Sequence, residues 1–195
     1  MGKASMVMGV YAGIMNLAEE GKLLLRRRTE EHSIIPGKSF KGNWELPGGA
    51  VNEALSSSVP YNYYLTDLVK SVKERTGIAL PESTLATMPM MQLVLFKGPA
   101  GYDLAAVTPV ITAIRPTVAD TIYVSPKELA QLAKEFVAAD EKTGKDGVGL
   151  LSGEGKRMHC MALAALCHSP NPEYAKQAAE MLQEISKPWV YHRFI

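Results

Sequence analysis

The chain predicts a mixed α/β fold in which helices and strands do not alternate regularly, and three observations carry that expectation. Apolar runs of strand length stand at 6–17, 22–28, 88–96 and 102–114. An amphipathic helix is written into about 62–76, where Leu65, Leu68, Val69 and Val72 fall at i, i+3, i+4 and i+7 and form one apolar stripe. The order of elements is strand, strand, loop, helix, strands, helix, which is not plain βαβ repetition.

Taken in order, residues 6–17 read as a strand, Glu19, Glu20 and Gly21 as a turn, and Lys22–Arg28 as a second strand completing a hairpin. Thr29–Asn43 is polar and holds Pro36, Gly37 and Gly42, so it reads as a loop. Trp44–Val51 is a short strand broken by Pro47, Gly48 and Gly49, and Ala54–Asn62 is a Ser-rich connection. The helix runs from about Asn62 to Thr76, with Gly77 where a helix-ending glycine belongs. Met88–Phe96 and Tyr102–Ile114 are further strands, and Pro109 marks a bulge or an edge in the second. Thr121–Val124 is short and β-like. Ser125, Pro126 and Glu128 make a capping box with proline at the first helical position, starting a helix that runs to about Val137. Asp140–Lys156 carries five glycines and reads as a mobile surface loop. Two helices follow at about 156–168 and 171–186, the second started by Asn171 and Pro172, before an aromatic tail at Trp189–Ile195. Neither a repeat nor a linker divides the chain, which reads as one domain over 1–195 with a core at about 6–137 and a helical extension at about 156–195.

Bulk composition narrows the functional classes. The 195 residues carry a formal charge of +1, which is not the footprint of a nucleic-acid binder or a polybasic membrane binder. No segment is long and apolar enough to span a bilayer. The apolar run Met6–Ile14 is interrupted by Gly9 and Gly13 and lacks a cleavage region, so a cytoplasmic location is expected. Cys160 and Cys167, flanked by His159 and His168, lie about 10 Å apart along a helix and read as buried thiols rather than a disulfide or a shared metal site. Met158–Cys167 is apolar nearly all round, so that helix packs beneath the last one or forms a subunit interface. Lys156 is followed by Arg157, not Ser or Thr, so the glycines before it do not make a P-loop, and no G-x-S-x-G elbow occurs.

Two stretches carry a resemblance. Gly42-Asn43-Trp44-Glu45-Leu46-Pro47-Gly48-Gly49 is similar to the lead-in of a Nudix box. Asp67–Ile78 is similar to its helix, whose family pattern ends REUxEExGU with U a bulky aliphatic. Lys70 to Ile78 matches at Val72, Glu74, Gly77 and Ile78, with Lys70 as a basic replacement. Tyr123-Val124 running into Ser125–Leu129 resembles the strand-to-helix turn after the box, so the likeness spans roughly 6–137. It implies a Nudix-type α/β/α sandwich with a mixed sheet and, as in many members, a homodimer. It also implies hydrolysis of a nucleoside diphosphate linked to another group, using Mg²⁺ or Mn²⁺ held by glutamates at i, i+3 and i+4 on one helix face.

Three departures stand against that chemistry. Ser71 occupies the first glutamate position and Arg75 the last, so Glu74 alone remains. Gly49 and Lys70 are 21 positions apart, further than in the family pattern, and Glu53 is merely near the loop glutamate's place. Asp67 shares a face with Ser71 and Glu74 but lies about 10 Å from Glu74 along the axis. An arginine where a metal ligand should point puts a fixed positive charge in the site.

Two functional readings follow. One is a nucleoside-diphosphate hydrolase with an atypical metal site, in which Glu74 is the residual Mg²⁺ or Mn²⁺ ligand and Asp120, Glu53 or Asp67 replaces a lost carboxylate. The other is an inactive Nudix-fold ligand-binding or interaction module. The candidate substrate contacts are Arg28, Trp44, Gly48, Gly49, Lys70 and Arg75, with Arg75 and Lys70 binding phosphate directly or pairing locally with Glu74 and Asp67. Asp120 is a candidate general base or metal ligand, or else a loop carboxylate; Arg26–Arg28 are steering charges or a strand end charged for solubility; Phe40, Trp44 and Tyr102 are candidate stacking rings, with packing under the glycine turn the alternative for Trp44. A nucleotide-like small molecule is the expected partner.

Overall fold

The computed structural model describes residues 8–29, 41–50, 61–81, 92–98, 101–133, 154–186 and 191–194. β1 (Met8–Asn16) runs into a short 3-10 turn at Leu17–Glu19, and β2 (Lys22–Arg27) follows. β3 is Trp44–Glu45 and β4 is Gly48–Ala50. Helix α1 spans Tyr61–Thr76. β5 (Gln92–Gly98), β6 (Gly101–Thr112) and β7 (Thr121–Val124) precede α2, which is helical over 126–133. α3 (Glu154–Leu166) and α4 (Pro172–Ser186) lead to β8 (Tyr191–Phe194).

The strands form one mixed sheet in the order β3-β2-β1-β6-β5-β8, with β4 paired to β1 and β7 paired to β2. β1 and β6 run parallel from Met8↔Leu104 to Asn16↔Thr112, and the other pairs are antiparallel. The expected hairpin of β1 and β2 is brief, because only Met15↔Leu23 and Asn16↔Lys22 pair. Beyond that β1 pairs with β4, while β2 is held by β7 on one edge and β3 on the other. Gly48 and Gly49, expected to break a strand, are themselves strand residues opposite Tyr11 and Val10. Pro109 sits in the interior strand β6 opposite Gly13, but beyond Val107, where the described β5 pairing stops, so the edge expected there is local.

Alternation along the strands divides the core into two layers. Val10, Ala12 and Ile14 of β1, Leu24 of β2 and Ala106 and Val110 of β6 face α1 through Leu65, Leu68 and Val72. Met15, Leu23, Leu25, Leu46 and Val107 face the other way, onto α3 and α4. The architecture is therefore an α/β/α sandwich. α3 settles its own alternatives: Cys160–Leu166 are buried between the sheet and α4, whose Ala178 and Met181 cover it. It comes close enough that a Cβ on Gly13 would lie 2.2 Å from Cβ of Ala165.

Local chemistry sets the ends. Ser125 N donates to Glu128 Oε2 (2.7 Å) and Glu128 N to Ser125 Oγ (3.3 Å), the reciprocal pair of a capping box. Asn171 Oδ1 accepts from the backbone of Glu173 and Tyr174 at the start of α4. α3 begins at Glu154, two residues earlier than the glycine run suggests. Gly77 ends α1 at φ +73°. The rest of the glycine-rich stretch (140–153), the polar loop at 30–40 and the Ser-rich connection at 51–60 lie outside the described residues, as do Phe40 and Glu53. No helix among the described residues is long and apolar enough to cross a membrane.

Candidate functional site

The alternation that divides the core also aims the charges. Leu24 faces α1, so Arg26 and Arg28, two and four residues on, face the same way. Trp44 and Leu46 pack toward α3, so Glu45 between them points toward α1. Register does the rest, because Arg26 stands directly opposite Glu45. From the helix side, Leu68, Val72 and Arg75 lie at i, i+4 and i+7, so the buried stripe of α1 ends in an arginine.

Three guanidinium groups thus meet one carboxylate. Arg26 Nη2 donates to Glu45 Oε1 in a buried, direct contact. Arg28 Nη1 lies 3.3 Å from Oε2 and Arg75 Nη1 lies 3.7 Å from Oε1. Arg75 Nη1 also donates to the carbonyl oxygen of Gly48, tying the end of α1 to β4. Gly48 must be glycine: its φ is +151°, and a Cβ would sit 2.2 Å from the Val10 carbonyl oxygen and 2.6 Å from Tyr11 Cα. Gly49 passes close to the same guanidinium, its hypothetical Cβ 3.3 Å from Arg75 Nη2. Behind Glu45, Leu46 N approaches Met158 Sδ at 3.2 Å, so α3 supports the strand that carries the carboxylate.

Of the expected site residues, the fold brings Arg28, Gly48, Gly49 and Arg75 together. Lys70 and Glu74 are exposed on α1, and Asp67 and Ser71 are half-buried. Arg75 pairs with Glu45. Trp44 packs against the core on the α3 side, across the sheet from the guanidinium groups. Asp120 is an exposed turn residue at φ +61°, and its carbonyl accepts from Arg27 N at 2.8 Å. It belongs to the β7 edge of β2, opposite the β3 edge that carries Glu45. Arg26 is neither a solvated strand end nor a steering charge but a buried partner of Glu45.

Sequence reasoning gave Glu45 no role of its own and read Arg26 as a steering or solvated charge. The signal was there in two parts, a lone acidic residue between Trp44 and Leu46 and an arginine continuing the Leu24 face, but their pairing needs the register of β2 and β3.

Among the described residues, no three His, Cys, Asp or Glu side chains group to hold a metal ion. Among the described residues the donor set at the end of α1 does not fit a divalent cation: the side chain turned inward there is a guanidinium bonded to the Gly48 carbonyl and ion-paired with Glu45. On α3, Cys160 is buried, and burial pushes the half-buried Cys167 thiol up. Burial also holds His159 down, to about 4, and depresses His168.

Comparison with known proteins gives solved structures alone; no protein-family model and no curated protein sequence matches the chain. It is similar to the MutT protein of Methanosarcina mazei (23% identity, TM-score 0.46, covering 74% of this chain and 99% of that one). It is similar to the Nudix domain of NrtR from Shewanella oneidensis, solved with ADP-ribose (18% identity, TM-score 0.43, 65% and 77% covered). A third similarity is to a Nudix hydrolase of M. smegmatis, RenU (17% identity, TM-score 0.36, 66% and 74% covered). At these identities and scores no residue role passes from those chains to this one.

Proposed function

We propose that this chain is a Nudix-superfamily protein that binds the phosphates of a nucleotide-like small molecule through arginine side chains instead of a metal on the box helix. Membership is supported by the order of WELPGG, an amphipathic helix and TGI in one chain, and by a sandwich in which that helix lies against the β1–β4 edge. The observation that carries the binding mode is the convergence of Arg28 and Arg75 on Glu45, with Arg75 beside the Gly48–Gly49 strand at a position where the resemblance puts a metal-holding glutamate. Guanidinium groups form paired, charge-assisted hydrogen bonds to phosphate oxygens and need no cation to do so.

The test is calorimetry with a panel of nucleoside-diphosphate compounds, run in Mg²⁺ and again in chelator, on wild type, Arg75→Gln and Glu74→Gln. The reading expects a ligand whose affinity survives chelation, is insensitive to Glu74→Gln and falls at least about tenfold in Arg75→Gln. A second reading, hydrolysis with an atypical metal site, is favoured by the exposure of Glu74 at its family position on α1. Turnover that requires Mg²⁺ or Mn²⁺ and disappears in Glu74→Gln would establish that reading and sink the first.

A further inference from the structure

We infer that Glu45 competes with the ligand's phosphate for Arg28 and Arg75, and so sets the affinity of the site. This rests on the arginine-mediated binding proposed above. The three ion pairs of Glu45 are unequal. Arg26 is sealed in, with 5% of its side chain exposed, and bonds Glu45 directly; Glu45 itself is 9% exposed. Arg28 and Arg75 keep 23% and 27% exposure and stand 3.3 and 3.7 Å from the carboxylate. Those separations exceed the 2.7–2.9 Å or so of a fully formed charge-assisted bond. Glu45 is thus sealed against Arg26, while the two arginines that solvent also reaches stand further from it, Arg28 in a longer hydrogen bond and Arg75 with its direct bond to the Gly48 carbonyl instead.

Of the three arginines, Arg28 and Arg75 are the ones solvent reaches, and the Glu45 carboxylate stands 3.3 and 3.7 Å from them. A phosphate and this carboxylate want the same donors, and at this depth two negative charges a few ångströms apart repel strongly. The phosphate therefore binds by drawing Arg28 and Arg75 off Glu45, while Arg26 keeps the carboxylate paired. In the ligand-free protein Glu45 stands in for the phosphate and keeps the guanidinium groups gathered.

The experiment measures inorganic pyrophosphate binding by calorimetry, at fixed ionic strength, on wild type, Arg75→Gln, Arg28→Gln, Glu45→Gln and the double variant Glu45→Gln/Arg26→Gln. The double variant neutralises both members of the buried pair, so it keeps the question answerable if Glu45→Gln alone does not fold. Competition predicts pyrophosphate affinity up roughly tenfold in each folded variant that lacks the Glu45 charge. Equal or weaker binding in folded Glu45→Gln, or in the double variant, overturns it and makes Glu45 a positioning residue at most. If Arg28→Gln and Arg75→Gln lose binding while removing the Glu45 charge brings no gain, the competition fails and the arginine site stands. If the arginine variants bind like wild type, or nothing binds, the arginine site fails and the competition with it.

Discussion

Gly13 and Ala165 offer a sharp test of how α3 is seated. Adding a methyl at Gly13 would put two Cβ atoms 2.2 Å apart. Apolar carbons rest at roughly 3.5–4.0 Å, so the helix would have to retreat by about 1.3 Å or more. A packed interior does not absorb that without loss elsewhere, and overpacking of this kind costs about 1–3 kcal/mol. Ala165→Gly alone costs about 1 kcal/mol through helix propensity. If the two sites were independent, the double variant would lose about 2–4 kcal/mol. The structure instead makes Ala165 Cβ the obstruction, so Ala165→Gly should rescue Gly13→Ala and leave a net loss of about 1 kcal/mol or less, a coupling of about 1–3 kcal/mol. The assay is urea denaturation of the four members of the cycle with the slope checked for constancy. Additivity to within about 0.5 kcal/mol would refute the contact and return α3 to its other sequence-level alternative, an interface between subunits.

Other outcomes follow from single groups. Gly48→Ala should destabilise the chain by about 2 kcal/mol or more, since neither the backbone angle nor the Val10 carbonyl gives way, and denaturant midpoints will show it. His159 is held neutral by burial with its pKa down from 6.5 to about 4, so its contribution is complete above pH 6.5 and is lost as pH falls toward 4, where the unfolded chain binds the proton first. That loss is roughly 3 kcal/mol, and His159→Phe should flatten the stability–pH curve in that window. Ser125→Ala removes one half of the capping box and should cost about 1 kcal/mol, read as a midpoint shift with unchanged slope.

What the sequence made legible was local. The stripe Leu65, Leu68, Val72 locates α1, and Ser125/Glu128 and Asn171 locate two helix starts, because each signal lies within a few residues of its partner. The sheet was harder. β1 looks like half of a hairpin until β4 takes part of its free edge, a pairing between Gly9–Tyr11 and Gly48–Ala50 that no local pattern announces. Runs such as Arg26-Arg27-Arg28 read as solvated because charged residues usually are, yet the middle arginine alone is exposed. Trp44 read either as a stacking ring or as packing, and strand alternation decides for packing by turning it onto the α3 side. The charged cluster joins β2, β3 and α1, so it is visible only when two registers and one helix phase are known together.

The inward placement of Arg75 has a consequence for how such a site can stay folded. A helix end bearing several carboxylates holds like charges together and relies on a cation to relieve them. Here the relief is internal, because Glu45 is gathered among Arg26, Arg28 and Arg75 by the chain itself. Burying such a group is expensive unless each charge is paired, and removing one partner leaves the others uncompensated. Arg75 also ties the α1 terminus to Gly48, so the same side chain that adds positive charge to the cluster holds the glycine strand in place. Charge sign and loop geometry are therefore coupled at one position. A change of Arg75 to an acid would set a carboxylate against Glu45 and cut the link to β4 in a single step. Converting this site toward metal binding thus requires Glu45 and its arginines to change together.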